Sequence, residues 1–359
     1  MAELGNNRVD GAAIAATAVA VPPHTLTRDE VKSYVGRVFA IDDRRAEALM
    51  TVVDNAQIQK RHAVFPIDHT VERRSLTETS REYQQHAVAL GCQVAADCLS
   101  RASMPASDVD MIITVSCTGF MIPSLDAHLI NRLGFRSNVR RLPLTELGCA
   151  AGGMALGRAA DYIRAYPGST VLIVSVELPT LTFQRDDVSQ GNLISSVLFG
   201  DGAAAAIVTG RHREGLHIVD AETYTFPQSL DAMGFDLRDT GFHIILAKDV
   251  PDLIRGRIKD LVDGFLQRRG LSRGELHAFL LHPGGQKLLA YIEEQLELCR
   301  CRTQLSWDVL ANYGNLSSAT ILFILDAFLR APTLRTGEYG LAAAFGPGFS
   351  AELVLLQWR

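Results

Sequence analysis

Three residues of this 359-residue chain combine types that could do covalent chemistry on a carbonyl: Cys149, His282 and Asn315. Cys149 stands in TELGCAAGGMALG (145–157), where an apolar run turns into a string of tiny residues. A thiol is a useful nucleophile as its thiolate, and a helix beginning at the cysteine would lower its pKa through unpaired N–H groups and the macrodipole. Glycine and alanine behind it would let that helix sit deep between sheets and let a substrate carbonyl approach the backbone. The same string also reads as a buried cysteine in a small-residue helix contact.

His282 ends the apolar run of LLHPGG. An imidazole at a strand end can accept a proton from a thiol and then donate to a developing oxyanion, although structural histidines also end strands. Asn315 lies in the turn ANYGNLSSA, before the apolar run ATILFILDAFL. There an asparagine is an ordinary helix cap; as the third member of a Cys/His/Asn set, its uncharged amide would stabilise a thioester enolate without protonating it. The same triad describes papain-like proteases, but those place the cysteine near the mature N-terminus and belong mostly to oxidising compartments.

The elements that must position these residues alternate. VDMIITVSC (109–117) follows a helical pattern over 83–102, STVLIVSVE (169–177) follows the helix opening at Cys149, and AAAAIVTG (203–210) closes a first half. After the polar RHREG (211–215) come HIVDAETYT, a long helix from about Asp249 to Arg269, the short strand HAFLLHPGG, another helix and a final strand pair in YGLAAAFGPGFSAELVLLQW. This alternation predicts an α/β fold with a buried sheet, as one compact body of two fused halves, 1–212 with the cysteine and 213–359 with the histidine and asparagine.

Composition narrows the function. Hydrophobic residues make up 47% and charged residues 21%, with a net charge of -5, so neither nucleic acid nor an anionic membrane is an expected partner. No apolar run approaches the roughly 18 residues of a membrane span. MAELGNNRVDG opens with an acid, and AAIAATAVAV runs into Pro22 and Pro23, which reads as a first strand rather than a signal peptide and predicts a cytoplasmic protein. Six cysteines (92, 98, 117, 149, 299 and 301) are too few and irregular for a disulfide scaffold, and Cys299-Arg-Cys301 lacks zinc-knuckle spacing, so a structural surface role and no metal are expected.

Five motifs in order, GCAAGG (148–153), LFGDGAAAAIV (198–208), HPGG (282–285), YGNLSSA (313–319) and FGPGF (345–349), resemble the type III polyketide synthases, the chalcone-synthase-like family, from about Ile14 to Trp358. The resemblance implies the thiolase fold, two βαβαβαββ halves in five layers α-β-α-β-α, acting as a homodimer. It implies Cys149 as nucleophile, His282 and Asn315 as its catalytic partners and Phe199 as a gatekeeper. Acyl-CoA and malonyl-CoA would be the substrates, with an acyl carrier protein as another donor of the starter, and no cofactor would be needed. Lys60 and Arg61 in QIQKRH resemble the family's basic segment for CoA phosphates; a solvated basic turn is the alternative.

Pocket residues follow the same resemblance. Cys117 and Thr118 fall where plant enzymes carry small hydroxylated residues, Ile122 where they send a methionine into the partner's cavity, and Thr182 and Ser317 at positions that tune the pocket beside the nucleophile. Gly346, Pro347, Gly348 and Phe349 complete the set. Phe235 replaces a plant glycine and Ile244 a second gatekeeping phenylalanine, which implies loss of a coumaroyl pocket unless it is neutral repacking. The C-terminal segment resembles bacterial enzymes that make alkylpyrones or alkylresorcinols from long fatty acyl starters, with chalcone, phloroglucinol and tetrahydroxynaphthalene types as alternatives. A β-ketoacyl-carrier-protein synthase III would share the triad but carry HQAN-like and Asn-Thr-Ser contexts; hydroxymethylglutaryl-CoA synthase would need a glutamate that the sequence does not place. A non-catalytic thiolase-fold protein is disfavoured because all three triad residues are present.

Overall fold

A computed structural model describes residues 11–39, 41–211, 214–247 and 250–359. The expectations resting on residues 1–10, on a boundary at 212/213 and on a helix start at Asp249 lie outside the described residues. The chain begins with β1 (Ala12–Ala20), followed by β2 (His24–Thr27), α1 (Arg28–Val38), α2 (Asp43–Asn55), β3 (Lys60–Ala63) and α3 (Ile67–Thr70). Then come α4 (Leu76–Arg101), β4 (Met111–Val115), α5 (Leu125–Leu133), β5 (Arg140–Leu144), α6 (Ala151–Ala165), β6 (Thr170–Glu177), α7 (Gln190–Leu198) and β7 (Gly202–Thr209).

The second half holds β8 (Leu216–Thr225), the hairpin β9 (Met233–Arg238) and β10 (Gly241–Leu246), α8 (Val250–Ile254) and α9 (Ile258–Gln267). It continues through β11 (Leu276–Leu281), α10 (Gln286–Leu296), α11 (Arg300–Tyr313), α12 (Thr320–Arg330), β12 (Tyr339–Gly346) and β13 (Ser350–Trp358). The long helix expected near 249–269 is two helices, because Gly256 adopts φ +78°, a left-handed conformation that ends one helix before the next begins.

A nine-stranded sheet runs β11-β12-β13-β8-β1-β7-β6-β4-β5. From its centre outward, β1-β7-β6-β4 pair antiparallel, antiparallel, parallel, and β8-β13-β12-β11 repeat that series. The two halves are therefore structural echoes, although no sequence repeat is visible. Alternate strand residues sort into three cores. One core gathers α6 and α12 between the half-sheets, a second packs α4 on the outer face of the first half, and a third packs α9 to α11 on the outer face of the second. The result is the α-β-α-β-α layering.

In β1, Ala12 and Ile14 face the central core while Ala16, Ala18 and Ala20 face the outer one. A register shift between Ile14 and Ala16 makes the change of face, since one extra residue inverts a period of two. Cys299 and Cys301 are bonded to each other at the exposed start of α11. Among the described residues no helix is long and apolar enough to cross a membrane.

Candidate active site

Cys149 is buried in a short 3-10 turn, Gly148–Ala150, that leads directly into α6. The small residues around it answer to close approach: a Cβ on Gly148 would meet Pro347 at 2.5 Å, one on Gly152 the Ser318 carbonyl at 2.2 Å, and one on Gly346 the Ala150 nitrogen at 2.6 Å. Gly148 also needs φ +51°. The glycines pack α6 tightly, and the same packing places the Cys149 thiol at a helix start.

Asn315 joins the pieces. Its Nδ2 donates to the Gly284 carbonyl at 2.8 Å, fixing the turn after His282, while its Oδ1 accepts the Ser317 backbone N–H at 2.8 Å. The amide also lies where it lowers the Cys149 pKa, opposing burial. Ser317 adopts φ +50°, a costly conformation for a residue with a Cβ. Its hydroxyl lies 3.5 Å from Cys149 Sγ and 3.3 Å from Cys117 Sγ. His282 is buried at the end of β11, its backbone N–H donating to the Ala343 carbonyl at 2.8 Å; its Nδ1 has no hydrogen-bond partner among the described residues.

Electrostatics correct one expectation. The sequence predicted a thiol pKa lowered by a helix start, but burial pushes Cys149 up to about 12, with Ser317 and Asn315 opposing and the charge of Glu177 adding to the rise. Burial alone brings His282 down to about 3. Burial therefore favours the neutral thiol and the neutral imidazole. The neutral imidazole has a lone pair for the thiol proton, and the burial of the ring opposes its charging.

A cavity of about 100 Å³ opens on Cys149 and Ser317, while His282 and Asn315 lie outside its lining. Phe199, Cys117, Thr118, Thr182, Phe235, Ile244, Ser317 and Pro347 line it with Cys149, as expected for pocket residues. Phe235 and Ile244 are cross-strand neighbours in the β9–β10 hairpin, where Phe235 packs edge-on against Phe242. Three expectations need correction: Gly346 packs under the Cys149 turn, Gly348 supplies φ +128°, and Phe349 is wholly buried against Phe226 in an outer core. Ile122, expected to reach a partner's cavity, is 81% exposed and outside the lining of this chain's own cavity. The basic pair separates too, because neighbouring strand residues point to opposite sides. Lys60 is exposed, whereas Arg61 is buried and donates to the Phe199 carbonyl at 3.0 Å.

Sequence reasoning missed Glu177. It is fully buried at the end of β6, where it accepts from the Thr118 hydroxyl at 2.8 Å, the Cys117 backbone N–H at 3.1 Å and the Ser318 hydroxyl. Burial raises its pKa. The signal was present as a single acid closing the otherwise apolar STVLIVSVE, so a glutamate does stand behind the pocket. Among the described residues no three His, Cys, Asp or Glu side chains stand together as a metal cluster.

The N-terminal domain model of the chalcone and stilbene synthases matches residues 5–211, and the C-terminal domain model matches 217–358. A 1,3,6,8-tetrahydroxynaphthalene synthase of Streptomyces coelicolor is 36% identical over 344 residues, covering 95% of this chain and 91% of that one. A phloroglucinol synthase of Pseudomonas fluorescens is 34% identical over 346 residues, covering 95% and 97%. The crystal structure of the Streptomyces coelicolor tetrahydroxynaphthalene synthase, a bacterial type III polyketide synthase, superposes with a TM-score of 0.93 at 35% identity, covering 97% of this chain and 99% of that one.

Proposed function

The chain belongs to the chalcone and stilbene synthase family of type III polyketide synthases, which are acyltransferases, and on that premise we propose that it extends a fatty acyl starter with malonyl units and closes the product to an alkylpyrone or alkylresorcinol. The observation that supports the choice of starter is the apolar part of the cavity lining. Leu26 from β2, Val31 and Val38 from α1, Phe39, Ile67 from α3 and Val71 line the same cavity as Cys149. An aliphatic chain would bury its methylenes there at about 0.8 kcal/mol each.

Cys149 attacks the starter thioester, its proton passing to neutral His282 and on to the departing CoA thiolate, so that acyl-cysteine and free CoA result. Malonyl-CoA then loses CO2. The electron pair left on its α-carbon is held as an enolate by the second N–H of Asn315, whose first is occupied by Gly284, and by an N–H of His282. That carbon attacks the acyl-cysteine and expels the Cys149 thiolate. Phe199 offers an apolar wall that disfavours the malonyl carboxylate relative to CO2. A second subunit would cover the exposed Phe120 and Ile122, which are 60% and 81% accessible.

Mass spectrometry of products from malonyl-CoA with starters from acetyl-CoA through long fatty acyl-CoAs to coumaroyl-CoA tests this reading. Pyrones or resorcinols carrying the fatty chain are expected. Tetrahydroxynaphthalene or phloroglucinol from malonyl-CoA alone, a chalcone, or activity only with a carrier-protein starter would each replace it.

A further inference from the structure

Arg61 was expected to meet CoA phosphates, yet its position describes another role. It is 5% exposed on β3, and its Nη1 reaches the Phe199 carbonyl at the C-terminal end of α7, where a cation suits the helix dipole. Asp201, fully buried nearby, favours that charge although burial raises its own pKa to about 7, and it is held by the Val64 N–H at 3.0 Å, the Thr180 N–H at 2.9 Å and the Thr180 hydroxyl. The segment carrying Phe199 is bonded on its other side to Asn315: the Asn315 N–H donates to the Leu198 carbonyl at 2.9 Å and the Gly200 N–H to the Asn315 carbonyl at 3.0 Å.

Three segments thus cross at one point, and two glycines permit it. A Cβ on Gly200 would lie 2.6 Å from the Tyr313 carbonyl oxygen and 2.8 Å from Arg61 Cβ; one on Gly314, at φ +70°, would lie 2.7 Å from the Leu198 carbonyl oxygen. We propose that Arg61 is a positioning residue for the decarboxylation step, setting the Phe199 wall and the Asn315 amide in one register through the Phe199 carbonyl. The inference rests on the reaction proposed above. Arg61 also lines the cavity, so the competing role is a direct grip on a substrate anion.

The two roles divide in kinetics. The experiment compares wild type, Arg61→Met and Arg61→Lys in thermal melting, in acyl transfer from octanoyl-CoA to Cys149 by intact mass, and in kcat and KM for CO2 release from malonyl-CoA. For Arg61→Met we expect loading within about twofold of wild type and a decarboxylation kcat about 10- to 100-fold lower, with KM changed by less than about threefold. Arg61→Lys, keeping the charge but not the planar fork, should recover part of kcat. A raised KM at unchanged kcat would assign Arg61 to anion binding and overturn the proposal, as would equal losses of loading and decarboxylation, or none. Should Arg61→Met not fold, Arg61→Lys decides alone: a lowered kcat at constant KM supports the role and an unchanged kcat removes it. A wild type that neither loads nor decarboxylates sinks the reaction itself, before any variant is compared.

Discussion

The hydroxyl of Ser317 lies 3.5 Å from the Sγ of Cys149, and it is the largest influence opposing the burial that raises the thiol's pKa. Glu177 acts in the other sense, since its negative charge adds to the rise.

Ser317→Ala and Glu177→Gln should therefore move Cys149 in opposite directions. At fixed pH below the thiol pKa, reactivity follows the thiolate fraction. Alkylation of Cys149 by iodoacetamide should slow by about three- to tenfold in Ser317→Ala and quicken in Glu177→Gln. Rates followed by peptide mass across pH 7 to 10 check the pair, and shifts of the same sign would refute this account of the thiol.

Cys149→Ala should remove product formation while melting within about 3 °C of wild type, because a small side chain is exchanged for a smaller one in a turn held by its neighbours. His282→Ala and Asn315→Ala should both depress malonyl-CoA decarboxylation as well as condensation. Undiminished CO2 release in either variant would take the enolate-stabilising role from that residue.

Val31 lines the cavity from α1 and is buried. In Val31→Trp the added ring narrows the cavity, so turnover of a long fatty acyl starter should fall by about tenfold or more relative to a short one. Competition between the two starters, read from the product ratio, measures this. An unchanged ratio means the chain lies elsewhere.

Glu352 is buried on β13 with Thr223 donating to one carboxyl oxygen and the other unpartnered among the described residues. Burial raises its pKa from 4.5 to about 7. The folded state then holds the proton more tightly than the unfolded one, so this contribution to stability is full below pH 4.5 and is lost as pH rises through 7. The span corresponds to about 3 kcal/mol. Urea unfolding of wild type and Glu352→Gln at pH 5 and pH 8 should show the variant gaining on wild type at the higher pH; a difference independent of pH would mean that Glu352 does not titrate in this range.

Much of this was legible in the chain itself. The apolar runs that became β4, β6, β7 and β11 are buried on both faces and read as continuous hydrophobic stretches. Cys149, His282 and Asn315 each sit where an element begins or ends, which made them candidates; local pattern left each with a structural alternative, and the shared motifs selected them. The helix break at Gly256 was less visible, because a lone glycine inside a periodic pattern does not announce its φ.

What the sequence determined by itself was the inventory: the alternation of buried strands and helices, three candidate chemical residues, and the family whose motifs they share. Only the tertiary structure decided how that inventory is charged and joined. It made Arg61 a buried strut beside exposed Lys60, put Glu177 behind the pocket, and took Phe349 out of it. The physical reason is that pKa values and hydrogen-bond partners depend on what lies across space and on how much water is excluded. Arg61 and Phe199 are 138 positions apart in the chain, and Cys149 and Ser317 are 168. No local pattern records such neighbours; the stacking of two half-sheets around α6 and α12 creates them.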